Sequence, residues 1–243
     1  NTDNMSIHGL TIDYGPYGLL EDYNPGWTPN TTEASHRRYR YGQQPQIGAW
    51  NLARWLESLI PLMQEPQRLE GVLDHYGEVF NQHHNAMWAA KLGLGVWRDE
   101  DQELVVQLNS ALQIIETDMT IFFRTLASIA APNVSLLSDA FYQPIGEAEA
   151  PLQAWLHEWW ARVGGEPDRA TMMASNPKYV LRNWMAQLAI DEAEKGDFTL
   201  CEDLHSLLMN PYDEQPEQEE RWFQRRPEWA RNRVGCSMLS CSS

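Results

Sequence analysis

Three oxygen-bearing side chains near the start of the chain have the types and spacing best suited to catalysis. Asp3 and Asn4 are adjacent, and Asp13 follows a short way along, just before Tyr14 and Gly15. A strand, a loop and a second strand would bring the three into one cleft. Carboxylate and amide oxygens suit Mg²⁺, which takes a few hard ligands together with phosphate oxygens. A further carboxylate would then be free to orient a hydroxyl nucleophile.

This pattern also has a structural interpretation, because Asn, Asp and Gly favour turns and Asx-turns would account for all three residues. The functional interpretation corresponds to a kinase-type catalytic loop followed by an Asp-x-Gly metal motif. Other common sites are missing. His157 and Glu158 begin a zinc-protease pattern, but Ala161 occupies the position of the second His. His83 and His84 are adjacent on a predicted helix, which makes them a poor ligand pair.

Composition excludes several kinds of partner. The 243 residues include 18 Lys and Arg against 34 Asp and Glu, a net charge of −16, and no long basic run. Nucleic acid and anionic membranes are therefore not expected partners. The sequence has no apolar stretch long enough to predict a transmembrane helix. Three cysteines and no targeting signal suit a bacterial cytoplasm, and we expect Cys201 to be a small buried residue.

The elements that must position the candidate residues are predicted to be mainly helices. Residues 1–43 are rich in Gly, Pro, Asn, Thr and Tyr, which predicts loops and short strands, with a strand or hairpin at 7–13. Residues 131–150 form a connector. Apolar residues at helical spacing predict helices over 45–62, 67–92, 101–129, 152–163, 179–195 and 198–209.

The segment from Asn176 to Asn183 has two interpretations. Lys178 and Arg182 are four residues apart, so on one helix face they would form an anion-binding patch near the cleft. Alternatively, Pro177 starts a helix that packs inward through its apolar residues, which are Tyr179, Leu181 and Trp184.

Two further groups are interpreted as structural. The acidic run from Asp213 to Glu220 is expected to be a solvated linker. The tryptophans expected in the core are Trp155, Trp159, Trp160 and Trp184.

Motifs along the whole chain resemble, in order, those of the selenoprotein O family, also known as YdiU. The first lies between Asn1 and Gly18 and contains Asp3, Asn4 and Asp13. The others are Glu21–Gly26, Tyr41–Pro45, Gly48–Leu52, Asn176–Asn183, Asn210–Tyr212, Arg226–Ala230 and Ser240–Ser243. Motifs spread over all 243 residues make this resemblance specific.

The resemblance implies a mainly α, protein-kinase-like fold. The large C-terminal lobe, with a short β and loop active-site segment, would span 1–130, and a helical extension packed on it would span 131–243. The family binds ATP in an inverted pose and transfers AMP to Ser, Thr or Tyr hydroxyls of protein substrates. Asp3 matches the catalytic base. Asn4 and Asp13 match the ligands of Mg²⁺ or Mn²⁺, so Asp13 would contact ATP through the metal.

A redox role for the near-terminal cysteine is also implied, since some members pair it with a Cys in the activation segment. Cys241 matches the terminal position. The activation segment from Asp13 to Gln46 contains no Cys, and Pro29 stands about where one is expected. A loop between Cys236 and Cys241, reaction with another thiol, and a solvated thiol without a role all stay open.

The chain begins at the catalytic loop, so we expect the small N-terminal lobe to lie upstream and the chain alone to be inactive. The alternative is a non-catalytic pseudokinase-type module that binds a partner protein, and a third possibility is an ordinary phosphotransferase. Asp3, Asn4 and Asp13 together argue against the module, because a binding protein has no chemical need for all three.

Overall fold

The computed structural model describes residues 5–6, 8–10, 19–28, 37–69, 71–233 and 236, and within them the protein is mainly helical, as predicted. The only strand pairing among these residues is an isolated antiparallel bridge between Thr117 and Phe141. The α-helices are α1 (Gln44–Leu59), α2 (Val72–Lys91), α3 (Asp101–Ala111), α4 (Met119–Leu126), α5 (Glu149–Arg162), α6 (Arg169–Ser175), α7 (Asn183–Ala193), α8 (Thr199–Leu208) and α9 (Pro216–Trp222).

The chain divides into two compact units. The described residues of unit 1 come from Asn1–Gly18 and Asn24–Asn85, and those of unit 2 from Leu19–Tyr23 and Ala86–Met238. The kinase-like lobe and its boundary near residue 130 stay predictions. Within the described ranges, no helix has both the length and the apolar run needed to cross a bilayer.

Unit 1 depends on a close approach between α1 and the first part of α2. Pro45 occupies the first turn of α1, where a missing N–H costs nothing. A Cβ at Gly48 would lie 2.5 Å from the Tyr76 hydroxyl, so only glycine fits there. That hydroxyl donates to the Pro45 carbonyl at 3.0 Å. The predicted start of the second helix at 67 is wrong: α2 begins after Gly71, whose φ of +80° interrupts helical geometry.

The first core of unit 2 is built around tryptophans of α5. Trp155 and Trp159 are buried and stack at 6.0 Å between ring centroids. Their indole N–H groups donate to the carbonyls of Leu104 and Leu92 at 2.9 and 2.8 Å, so neither polar atom is buried without a partner. Trp160 packs against the same cluster, partly buried. The predicted core role of these tryptophans is confirmed.

A second core joins α7, α8 and α9. Trp184 and Trp222 are buried and stack at 5.8 Å between centroids, which confirms the core prediction for Trp184. Leu204 and Leu207 form the buried stripe of α8. Cys201 lies beside that stripe and is exposed, so its predicted burial is wrong.

The predicted helix over 101–129 is wrong, because residues 112–118 separate α3 from α4. Asp118 is extended and its carboxylate accepts from the Ile121 N–H at 3.0 Å, so it starts a new helix as an N-cap. The Asp118 N–H also donates to the Ala140 carbonyl at 2.8 Å. Both contacts hold this residue out of a continuous helix.

The acidic run is not a solvated linker, so that prediction is also wrong. Residues Pro216–Trp222 form α9, whose last residue is buried in the second core. Glu214 and Glu219 contact the buried ammonium of Lys178 at 2.8 and 2.7 Å. The carboxylates therefore have partners that the local composition does not show.

Candidate active site

A groove of about 600 Å³ lies within unit 1, beside the residues that follow Asn4 in the sequence. Met5, Ser6 and Gly9 line one wall. The Gly9 N–H donates to the Ser6 carbonyl at 3.2 Å, which closes a turn along this wall. The second wall is one side of α1, formed by Asn51, Leu52, Arg54, Trp55 and Ser58.

The α1 wall joins a buried amide to an exposed aromatic ring. Asn51 is only 8% exposed, and its Nδ2 lies 3.7 Å from the Met5 Sδ, which connects the two walls. Trp55 is 43% exposed. The groove can therefore take a ligand that has both polar groups and an apolar or planar surface.

The backbone before α1 is held by a pair of hydrogen bonds. The Tyr41 N–H donates to the Trp27 carbonyl at 2.8 Å, and the Gly42 N–H to the Pro25 carbonyl at 2.9 Å. A Cβ at residue 42 would lie 2.9 Å from the Pro25 Cβ, so glycine is required for this approach. This pairing fixes residues 24–28 against the chain that enters α1.

The residues predicted to perform the chemistry, Asp3, Asn4 and Asp13, lie outside the described residues, as does Cys241. Among the residues that the structure describes, no three His, Cys, Asp or Glu side chains come together as a metal site. Among the described residues Cys236 is a free thiol; it is buried, and burial raises its pKa. The roles proposed for Asp3, Asn4, Asp13 and Cys241 stay predictions.

Of the two interpretations of Asn176–Asn183, the anion-binding patch of Lys178 and Arg182 is wrong, and so is the helix start at Pro177 in the other. Both side chains are buried, and α7 begins only at Asn183, so they do not share a helix face. Lys178 binds the two carboxylates described above. Burial opposes its charge, but hydrogen bonds to Glu214 and Glu219 outweigh that effect and raise its pKa. The cations are thus already neutralised by the protein itself.

Arg182 belongs to a buried network that holds the segment Leu19–Tyr23 in unit 2. Its guanidinium forms a two-pronged ion pair with Asp118, one prong of which is 2.9 Å long. Glu21 accepts from Arg226 at 3.1 Å, and burial raises the pKa of this carboxyl. Its backbone carbonyl accepts from the Met119 N–H at 2.9 Å.

The side-chain amide of Asn183 completes this attachment. It accepts from the Leu19 N–H at 3.1 Å and donates to the Leu19 carbonyl at 3.3 Å. Sequence analysis missed the network because its partners lie far apart in the chain. Asp118 is a residue type that favours helix N-caps, and this was the one local signal that could have indicated part of the network.

Lys91 gives unit 2 a distinctive pH dependence. Its ammonium donates to the Asn176 Oδ1 at 2.9 Å and lies 4.1 Å from the Phe123 ring centroid. Burial lowers its pKa to about 8 from the ordinary 10.5. Between these values the unfolded chain binds more protons than the folded one, so this group makes stability rise with pH.

We therefore expect the free energy of unfolding of the unaltered protein, minus that of Lys91→Met, to rise by about 2 kcal/mol as pH increases from about 7 to about 10. Equilibrium urea unfolding at several pH values measures it. Lys195→Met is the control: this exposed lysine pairs with Glu192, its pKa is raised, and its difference should stay flat over that range. A flat profile for Lys91→Met as well would show that its ammonium reaches water.

Comparison with known proteins shows which protein family the chain belongs to. Curated proteins that match it from end to end carry the name "Protein nucleotidyltransferase YdiU". The family model that matches residues 1–209 is described as protein adenylyltransferase SelO. The chain belongs to this family, and the resemblance described above is confirmed.

Three relatives illustrate the extent of the match. Identity is 50% over 252 residues with the protein of Aromatoleum aromaticum, 46% over 256 with that of Flavobacterium johnsoniae, and 49% over 267 with that of Rhodopirellula baltica. Each alignment covers 100% of this chain but only 48% or 49% of the relative. The chain therefore spans about half the length of the curated relatives it matches.

Proposed function

We propose that this chain is part of an enzyme that transfers AMP from ATP to hydroxyl groups of Ser, Thr or Tyr in proteins. The observation that carries the proposal is the match of residues 1–209 to the SelO adenylyltransferase family. Asp3, Asn4 and Asp13 all fall inside the matched region. The groove beside Met5 and Ser6 supports it, since it offers space for a reactant close in sequence to these residues.

Asp3 acts in this proposal as the base. The substrate hydroxyl gives its proton to the Asp3 carboxylate while its oxygen attacks the α-phosphorus of ATP. The bond from the α-phosphorus to the oxygen that bridges to the β-phosphorus breaks, and pyrophosphate leaves with that electron pair. The product is a phosphodiester between AMP and the protein hydroxyl.

Asn4 and Asp13 are the residues that would hold a divalent metal. An amide oxygen and a carboxylate are the hard donors that Mg²⁺ or Mn²⁺ prefers, and the ATP phosphates can supply the remaining ligands. A bound metal supplies charge neutralisation on those phosphates. Asp13 would thus contact ATP through the metal.

The remaining parts of the site would come from a small lobe outside this chain. A kinase-like enzyme covers the ATP phosphates with a loop of that lobe and contacts them with one of its lysines. Residues 1–130 would then be the large lobe and 131–243 a helical extension on it. We expect the 243-residue chain alone to transfer little or no AMP.

Labelled ATP tests the proposal in a protein of the full length of the relatives. With a divalent metal and a mixed pool of cell proteins as acceptors, label from the α-phosphate should become protein-bound and label from the γ-phosphate should not. Protein-bound γ-label would instead show an ordinary phosphotransferase. Absence of both labels at saturating Mg²⁺ and Mn²⁺ would favour the non-catalytic interaction module.

A further inference from the structure

We propose that Arg37, Arg38, Arg40 and Trp50 form a docking surface, here called the arginine surface, for an acidic segment of the proteins that receive AMP. All four residues belong to unit 1. The inference rests on the proposed function, because it names the chemistry of the acceptor proteins. Its occupant is a peptide segment that carries several carboxylates close together.

A single tight turn presents the three arginines. The Arg40 N–H donates to the Arg37 carbonyl at 3.1 Å, and the Arg40 guanidinium donates to the same carbonyl at 3.3 Å. Arg37 has a φ of +45°, in the left-handed region that costs a non-glycine residue about 1 kcal/mol. Its guanidinium donates to the Gly26 carbonyl at 3.2 Å, which helps to hold this conformation.

Among the residues that the structure describes, no carboxylate neutralises the charges of these arginines. Within the described part of the chain, no Asp or Glu oxygen lies within 4.0 Å of the nitrogens of Arg37, Arg38 or Arg40. The guanidinium groups of Arg37 and Arg40 donate to backbone carbonyls. Unit 2 differs, since most of its cations are paired with carboxylates. These cations are Arg124, Arg162, Lys178, Arg182, Lys195, Arg221, Arg226, Arg231 and Arg233.

A cation–π contact restrains Arg38, one of the three arginines of the surface. The Arg38 guanidinium lies 4.3 Å from the ring centroid of Trp50, which is 38% exposed. A guanidinium in such a cation–π contact keeps N–H groups that can bind a carboxylate with two hydrogen bonds. An arginine held in this way loses less conformational entropy on binding than a freely rotating side chain.

The arginine surface is continuous with the groove. The Arg54 guanidinium lies 5.7 Å from the same Trp50 ring centroid, and Arg54 lines the groove. Arg54 is itself paired with Glu57, so it adds less free charge than the three arginines of the turn. A segment bound on the arginine surface would therefore place the residues next to it along the groove.

Charge complementarity favours an acidic peptide over other polyanions. Residues 34–56 contain four arginines and no Asp or Glu, although the whole chain has a net charge of −16. The local cations attract a short acidic segment. The negative remainder of the molecule repels a long phosphate backbone, which carries charge along its entire length.

Fluorescence anisotropy on the full-length protein, without ATP, tests the inference. The probes are a short labelled peptide of one Ser flanked by Glu residues, the same peptide with Gln in place of Glu, and an oligouridylate of equal length. We expect the Glu peptide to bind at least about fivefold more tightly than the Gln peptide, with an affinity that falls as salt rises.

Substitutions then locate the surface. Arg38→Glu should weaken binding of the Glu peptide by about fivefold or more, and Arg38→Gln by a smaller factor in the same direction. Arg98→Glu is the matched control, because Arg98 is an exposed arginine of unit 2, and it should change affinity by less than about twofold. Circular dichroism checks that each variant keeps its helices.

Equal binding of the Glu and Gln peptides to the unaltered protein would overturn the inference, and that comparison needs no variant to fold. So would an equal loss in Arg98→Glu, or tighter binding of the oligouridylate than of the peptide. The binding assay contains no nucleotide, so it is independent of the labelling experiment. If the peptides show no preference but label from the α-phosphate becomes protein-bound, the docking surface is rejected and the proposed AMP transfer stands.

Discussion

Replacing Asp13 by Ala in a protein of the full length of the relatives should lower AMP transfer by about a thousandfold or more. The proposed Asp13 carboxylate holds the metal that neutralises charge on the ATP phosphates. Alanine provides no oxygen donor, and Asn4 alone leaves the metal with a single ligand from this motif. The rate of protein labelling from α-labelled ATP, measured over a range of Mg²⁺ and Mn²⁺ concentrations, gives the effect.

A control variant and a second active-site variant test whether the effect is specific to metal binding by Asp13. Asp139→Ala removes an exposed carboxylate of unit 2 and should leave the rate unchanged. Asp3→Asn should also lower the rate strongly, but without changing the metal concentration needed for half of the remaining activity, because Asp3 takes the proton rather than the metal. Full activity of Asp13→Ala at saturating metal would contradict the assignment of Asp13 as a metal ligand, even if AMP transfer itself is confirmed.

Local sequence patterns predicted the helices that bury a continuous apolar stripe. The expected helix over 152–163 corresponds to α5, and that over 198–209 to α8, each within a few residues. Both carry large apolar residues at helical spacing, and Gly164 and Gly165 lie just beyond the C-cap of α5. These features act within one helix, so the sequence of that helix is enough to show them.

Two errors in the predicted fold, the unbroken helix over 101–129 and the early predicted start of α7, share a physical cause, which is buried charge with distant partners. Arg182 looked like a helix residue with a free cation, yet its partner Asp118 lies 64 positions away. Lys178 looked available to a ligand, yet it is satisfied by carboxylates 36 and 41 positions away. Such pairs show no periodicity, so neither the break before α4 nor the late start of α7 could be recognised locally.

The candidate site shows the same limit. Motifs alone predicted Asp3, Asn4 and Asp13, because short sequence patterns define them. The groove wall on α1 was missed, since Asn51 and Trp55 look like ordinary members of an amphipathic helix. Only the tertiary structure shows that they line the same groove as Met5.

Breaking the ion pair between Arg182 and Asp118 should destabilise the protein by about 3–5 kcal/mol, a large part of the total for a typical domain. Both residues are almost completely buried, at 3% and 0% exposure. Arg182→Met leaves the Asp118 carboxylate in the interior without its guanidinium. Asp118→Ser leaves the buried guanidinium without a counter-charge but keeps an oxygen that can cap α4. Equilibrium denaturation measures each variant.

The double variant Asp118→Ser/Arg182→Met separates a lost attraction from an uncompensated charge. If each single variant is destabilised because one buried charge is left alone, removing both charges should cost less than the two single changes together. The exposed pair of Lys195 and Glu192 is the control, and breaking it should cost less than about 1 kcal/mol. Additive costs at Asp118 and Arg182 would contradict this account, because they would show that each side chain stabilises the fold through separate contacts. Strong coupling would instead identify this pair as the interaction that joins the start of α4 to the segment entering α7.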